Sequence, residues 1–281
     1  VVRVPIAVAM FVAGTTGYLL QAGWLPYANF LKTQTYSRFS NYDLSVIPLF
    51  LLMGQFATHG GLSRALFAFA NAMMSRVRGG MAMAAVIACA AFGAVCGSSV
   101  ATAATGSSVA LPEMARHGYS GRLTTATLAA GGTMGIMIPP SVILIIYAIL
   151  TEQNIAKLFA AATIPGLIAM LGYLIAIAVY VRLVPGHAPE KVVVERIDVR
   201  AALLGLGPIL VIFLLVFGGI YAGIFTPTEG AAVGAVSTLV LALARGELTR
   251  AKLAMSFYQA AESSAMIFLI FIGADVMNSA L

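Results

Sequence analysis

Apolar residues in this chain fall into runs that recur from one end to the other. The longest are Val4–Leu20, Leu44–Thr58, Gly80–Val95, Leu123–Ile138 continuing to Leu150, Ala156–Leu183, Ala201–Ile224, Glu229–Ala244 and Ser263–Leu281. About 20 apolar residues in an α-helix cross the roughly 30 Å of hydrocarbon in a bilayer. The pattern therefore predicts an all-α polytopic membrane protein. Several runs are shorter than a full span or are interrupted by Gly or Pro, which is the mark of hairpins and broken helices in transporters. Among the connecting pieces, Leu25–Ser40 with Trp24, Tyr27 and Tyr36 reads as an interfacial aromatic belt. Ser63–Val77 is amphipathic, with Arg64 and Arg76 near its ends, and Leu248–Gln259 resembles it; both read as helices lying on the membrane surface. The one hydrophilic linker is Pro185–Arg200.

Composition agrees with that pattern. Of 281 residues, 60% are apolar and 9% charged, against roughly 45–50% and 25% in a soluble domain; the mean hydropathy is +0.97. The formal net charge of +6 is carried by cations scattered singly between apolar runs, without the basic, aromatic-studded face that nucleic acid requires. The charge is better read as topology. With Val4–Leu20 leaving the cytoplasm and Gly80–Arg116 dipping in and returning, the cytoplasmic side holds thirteen of the 16 Lys and Arg residues, leaving Lys32, Arg38 and Lys157 outside. A single crossing by Gly80–Arg116 would switch every later charge and erase this positive-inside bias, so the charges argue for a re-entrant hairpin. Cys89 and Cys96 share one apolar segment and read as small packing residues.

A loose internal repeat is visible. Val4–Leu20, an amphipathic stretch and Leu44–Thr58 correspond to Glu229–Ala244, an amphipathic stretch and Ser263–Leu281, with Gly54 matching Gly273. The two copies enter from opposite sides, as inverted repeats do; chance likeness between apolar helices is the alternative. The expected division is a first repeat over 1–184 (arm 63–78, re-entrant hairpin 80–116, broken helix 121–150, helix 156–183), a cytoplasmic linker over 185–200, and the start of a second repeat over 201–281.

Two segments carry the chemistry. In Gly97–Val109, GSSVATAATGSSV, six of thirteen residues are Ser or Thr. In Gly131–Ser141, GGTMGIMIPPS, three glycines precede two adjacent prolines. Pro139 and Pro140 remove two backbone donors and disfavour helix before them. Broken backbone at membrane depth persists only where it is buried in protein or lines a wet cavity. Freed carbonyls with Ser and Thr hydroxyls are hard ligands suited to Na⁺, and half-helix N-termini favour an anion. The plainer readings are a small-residue packing face for the first segment and a structural kink for the second. Glu229 in TPTEG reads as a helix-start signal. Asp275 lies in an apolar run, where a functional role and an approach to the outer surface are both open. Glu113, Arg116 and Arg122 flank the hairpin exit. His59, His117 and His187 fall at segment ends, and no catalytic constellation is found, so the chain does not read as an enzyme.

IPLFLLMG at Ile47–Gly54, GSSVATAATGSS at Gly97–Ser108, HGY at His117–Tyr119, GGTMGIMIPPS at Gly131–Ser141 and GIFTPTEGAAVGA at Gly223–Ala235 resemble, in order, the large membrane subunit of tripartite ATP-independent periplasmic (TRAP) transporters. The resemblance implies an inverted-repeat fold of the ion-transporter superfamily moving as an elevator in the bacterial inner membrane. It implies Na⁺ as coupling ion, no cofactor, and organic-anion substrates such as C4-dicarboxylates, sialic acid or 2-oxo acids. The implied partners are a small four-helix membrane subunit and a periplasmic solute-binding protein. By motif, Gly97, Ser98, Ser99, Thr133, Gly135, Met137 and Pro139 would frame a Na⁺ site, and Ser99, Thr102, Pro140 and Ser141 half of a substrate site. Family members carry a helix before the counterpart of Val1 and a second hairpin after that of Leu281. The expectation is accordingly a fragment that lacks the second Na⁺ site and does not transport by itself. A single-component dicarboxylate or citrate carrier of the same superfamily is the alternative, distinguished by the absence of partner subunits. A membrane enzyme would need a catalytic pair, and a channel a selectivity filter; neither is visible.

Overall fold

The computed structural model describes residues 4–189 and 199–280. Within them the chain is helical, with no β-strand. In chain order the helices are α1 (Ile6–Ala22), α2 (Trp24–Phe39), a 3₁₀ turn (Tyr42–Ser45), α3 (Val46–His59), α4 (Leu62–Met74), α5 (Gly80–Cys96), α6 (Ser99–Arg116), α7 (Gly121–Met137), α8 (Val142–Leu150), α9 (Ile155–Leu183), α10 (Val199–Tyr221), α11 (Pro227–Ala244) and α12 (Arg250–Ser279). Among the described residues, four spans are long and apolar enough to cross a bilayer: α7 with α8, α9, α11 and α12. The bent pair formed by the 3₁₀ turn with α3 and by α4 makes a fifth when counted as one span. This is the architecture of a multi-pass membrane protein.

Local sequence explains most boundaries. Gly23, with φ 80°, turns α1 into α2, and Pro26 falls in the first turn of α2, where a missing N–H costs no helical bond. Gly61 (φ 71°) bends α4 away from α3 by 68°. The amphipathic arm expected near Ser63–Val77 is thus α4, which buries Leu62, Leu66, Phe67 and Ala70 on one side. Thr226 and Glu229 form a reciprocal capping box at the start of α11, so Glu229 is committed to starting a helix.

Leu25–Ser40, the stretch with the aromatic belt, is a regular helix, α2. One expectation is corrected. Leu248–Gln259 is no separate surface helix: from Arg250 it forms the first part of the continuous 30-residue α12. A backbone ladder is indifferent to the polarity of its side chains, and hydroxyls in this stretch bond back to it. Here Ser264 bonds back to the Ala260 carbonyl at 2.7 Å and Ser256 to that of Lys252 at 2.9 Å. Residues 190–198 of the expected linker, with Lys191 and Arg196, lie outside the described residues, as does Arg3.

Helix pairing is reciprocal. α1 and α12 run parallel: a Cβ on Gly14 would fall 2.6 Å from Met277 Cα, one on Gly17 3.1 Å from Ala280 Cβ, and one on Gly273 2.8 Å from the Ala7 carbonyl. Only glycine permits such backbone approach. α3 and α11 run parallel in the same way, Gly60 meeting Ala242 and Gly234 meeting Met53. α3 and α12 are antiparallel, with His59 Nδ1 3.0 Å from Ser256 Oγ at one end and Phe39, just before α3, against Phe268 towards the other. Exchanging α1 with α11 and α3 with α12 therefore maps the pairs onto one another.

A further group of helices packs around α5. The α5 side chains are apolar on every face, and nearly all are buried, as a helix that is apolar all round must be. α3, α4, α6, α7 and α9 pack against it. α5 and α6 form an antiparallel hairpin, with Cys89 against Gly106 midway along it. At its base, Ser120 N–H donates to the His187 carbonyl at 3.0 Å, and Met81 N–H donates to the Tyr119 hydroxyl at 3.3 Å. Burial pushes the Tyr119 phenol up from its ordinary range, and the Met81 bond opposes the rise. Arg76, Arg78, Arg116, Arg122 and Arg182 gather near this base. Arg64, Arg245, Arg250 and Lys252 lie at the same end of the molecule, whereas Arg38 lies at the opposite end.

Candidate functional site

Two interruptions in regular helix meet. In the hairpin, Gly97 ends α5 with φ 64° and donates its N–H to the Gly93 carbonyl at 2.8 Å. Ser98 is extended and caps α6, its Oγ accepting from Ala101 N–H at 3.3 Å. In the broken helix, α7 stops at Ile138, whose extended backbone leads through Pro139 and Pro140 to Ser141. Ser141 caps α8 in the same way, accepting from Leu144 N–H at 3.4 Å. Each interruption is thus a helix C-terminus followed within a few residues by a serine-capped N-terminus.

A seam of glycines holds the interruptions together. Val142 N–H donates to the Gly97 carbonyl at 3.3 Å, tying one break directly to the other. A Cβ on Gly97 would lie 2.6 Å from the Pro140 carbonyl oxygen, and one on Gly93 2.5 Å from Gly135 Cα. A Cβ on Gly135 would strike Thr102 Oγ1 and lie 2.7 Å from the Ser98 carbonyl oxygen. Gly54 of α3 abuts the hairpin tip at Cys96. Gly166 of α9 faces Ile138 and the Met137 carbonyl, which places the break about 16 Å from the start of α9 and about 25 Å from its end at 1.5 Å per residue. The meeting point is therefore near mid-depth.

Around it, the carbonyls of Ala94, Val95, Cys96, Gly135, Ile136 and Met137 receive no hydrogen bond from any described residue. The prolines are the cause for Gly135 and Ile136: in a continuous helix their acceptor roles would be filled by the N–H groups of residues 139 and 140. C-terminal carbonyls carry partial negative charge and suit a cation, while the first N–H groups of α6 and α8 suit an anion. No ionised side chain is placed at the junction. Among the described residues no three His, Cys, Asp or Glu side chains cluster to hold a transition metal, so oxygen ligation is the chemistry on offer.

The expected site residues divide. Gly97, Ser98, Ser99, Thr102, Gly135, Pro139, Pro140 and Ser141 gather at the junction; Thr102 and Ser141 are 0% exposed, and Thr102 Oγ1 lies 3.1 Å from Cys96 Sγ. Thr133 and Met137 belong to the α9 side of α7. The Thr133 hydroxyl donates to the Ala130 carbonyl at 2.7 Å and lies 3.2 Å from the Tyr173 hydroxyl, and the Met137 carbonyl faces Gly166. The packing reading of GSSVATAATGSSV holds for part of α6, where Gly106 meets Cys89 and Ala103 meets Gly132.

Two features escaped sequence reasoning. Gly93 was hidden in a run of small residues. Asp275 pairs with Arg38 through two 2.7 Å hydrogen bonds, with side chains 12% and 25% exposed. The signal was present: topology sets Arg38 outside and brings α12 to the same side, so two lone opposite charges share one depth.

Comparison with known proteins identifies the family. The family model described as the tripartite ATP-independent periplasmic transporter, DctM component, matches residues 1–281. The C4-dicarboxylate TRAP transporter large permease protein DctM of Pseudomonas aeruginosa is 41% identical over 215 residues, which are 76% of this chain and 49% of the relative. The protein of the same description from Rhodobacter capsulatus is 34% identical over 256 residues, 84% of this chain and 57% of the relative. The ectoine TRAP transporter large permease protein TeaC of Halomonas elongata is 32% identical over 280 residues, 98% of this chain and 64% of the relative. The chain thus spans about half to two thirds of the length of these relatives. It belongs to the DctM family, the large permease component of tripartite ATP-independent periplasmic transporters.

Proposed function

We propose that this chain is the ion-binding part of a Na⁺-coupled importer of small organic anions in the bacterial inner membrane, working as a carrier and not as an enzyme. The observation that carries this reading is the meeting of two capped helix breaks near mid-depth, tied by the Val142–Gly97 bond and surrounded by unpaired carbonyls. Na⁺ would be held by neutral oxygens at Gly97, Ser98, Ser99, Gly135 and Pro139. Thr133 and Met137 would join through main-chain atoms of the last turn of α7. The N-termini of α6 and α8, with Ser99, Thr102, Pro140 and Ser141, would face a carboxylate.

C4-dicarboxylates are the leading substrate class, because relatives from three species carry that description. A periplasmic binding protein and a small four-helix membrane subunit are the partners that a tripartite system needs. Reciprocal pairing of α1 with α12 and α3 with α11 supports an inverted repeat, in which the hairpin and broken helix would move as an elevator against the other helices. The test is uptake by the full-length transporter reconstituted with both partners. Labelled C4-dicarboxylate should accumulate under a Na⁺ gradient and in the presence of the binding protein. Accumulation of the same size with K⁺ replacing Na⁺ would remove the coupling ion from the reading.

A further inference from the structure

A cavity of about 250 Å³ lies between α4, α5 and α10. Leu66 and Phe69 of α4, Ala91 and Val95 of α5, and Ile209 and Phe213 of α10 line it, and every other lining residue is apolar. Leu210 stands at its edge with 47% of its surface exposed, continuous with Val211 (62%) and Leu214 (66%) on the outward face of α10. In a multi-pass protein that face meets lipid, so the cavity opens sideways into the bilayer.

Water is a poor occupant: a buried water needs two to four polar partners, and an apolar cavity of ~150 Å³ stays dry while accepting a small hydrocarbon. This one is larger, and the surrounding solvent is itself hydrocarbon. We propose that the cavity is a binding site for one acyl chain of a cytoplasmic-leaflet phospholipid. The leaflet follows from what lies at the cavity's rim. A Cβ on Gly205 of α10 would sit 3.8 Å from Ala65 of α4. Arg64 therefore flanks the place where these helices meet, with its side chain 69% exposed and, among the described residues, a 3.9 Å approach to Glu247. Arg245 reaches the same place and donates to the Gly205 carbonyl. Both cations are at the end where the Arg and Lys residues gather, so a chain entering past Leu210 leaves its phosphate within reach of guanidinium groups. A second protein segment in the cavity is the competing occupant. The site stands on the membrane setting alone and does not depend on what the protein transports.

The experiment uses the full-length protein, extracted in mild detergent and washed, with bound phospholipid counted by phosphorus assay and native mass spectrometry. Ala91→Phe fills the cavity from α5. Val211→Phe places the same ring on the outward face of α10 and serves as control. Wild type and Val211→Phe should each retain one phospholipid per chain more than Ala91→Phe. In a second arm, which does not require Ala91→Phe to fold, benzoylphenylalanine replaces Leu210 and is photolysed in native membranes. The expected product is heavier by one phospholipid. Equal retention by all three proteins, or a crosslink from position 210 to peptide only, overturns the proposal.

Discussion

Gly135→Ala tests the junction with the smallest possible change. The added Cβ would lie 2.7 Å from the Ser98 carbonyl oxygen and 3.0 Å from its carbon, and would strike Thr102 Oγ1, whereas ordinary contact begins near 3.4 Å. The neighbours are backbone at a capped helix start and a fully buried threonine, so the hairpin tip itself must retreat by about 0.7 Å. Overpacking of this kind costs about 1–3 kcal/mol, which the folded protein should survive. Function should suffer more, because a displacement of about 1 Å in a binding constellation can cost about 100-fold. The assay is Na⁺-dependent uptake by the full-length transporter at matched membrane expression. The expected result is a loss of about 10–100-fold in uptake at fixed Na⁺, with half-activation moved to higher Na⁺. Gly172→Ala is the control, since a Cβ there meets nothing within 4 Å. Wild-type uptake and wild-type Na⁺ activation in a stable Gly135→Ala protein would refute the claim that the tip and the break form one site.

Three further outcomes are expected. Replacing Pro139 and Pro140 together by Ala restores donors for the Gly135 and Ile136 carbonyls, so the protein should accumulate in the membrane while Na⁺-dependent uptake is abolished. If Ser99 is an oxygen ligand as proposed, Ser99→Ala should weaken Na⁺ activation with little effect on expression, since it removes the hydroxyl and adds no bulk; unchanged activation would leave Ser99 a packing residue. Removing one partner of the Arg38–Asp275 pair strands a charge in an apolar setting. Each single substitution to Leu should lower stability by about 1–3 kcal/mol, less than for a fully buried pair because Arg38 is part-exposed, while the double substitution recovers most of that loss. Thermal unfolding in detergent checks the cycle, and additive losses would show that the pair is not coupled.

What the sequence revealed and what it concealed follow one physical division. The broken helix was legible because two prolines delete specific donors and leave a mark that no packing can hide. The hairpin was legible from charge, since only a return to the same side keeps Arg76, Arg78, Arg116 and Arg122 together. α12 was not, because hydropathy falls over Ser256–Glu262 while backbone hydrogen bonding is indifferent to it. Side-chain direction was the weakest inference: Thr133 sits among junction residues in sequence, yet its helical phase turns the hydroxyl towards Tyr173. The glycine seam was half visible. Gly97, Gly131, Gly132 and Gly135 stood in suspect motifs, but Gly93 gained its meaning only once Gly135 lay against it.

The central claim is that the hairpin tip and the helix break bind Na⁺ through neutral oxygens. Val100, beside the tip and 78% exposed, offers a direct report. A single cysteine placed there, in the full-length transporter with Cys89 and Cys96 replaced by Ala, can be alkylated at a measured rate as Na⁺ is titrated against K⁺ at constant ionic strength. The account predicts that Na⁺ slows alkylation saturably and that K⁺ does not. Equal rates in the two ions, or equal slowing by both, would contradict it.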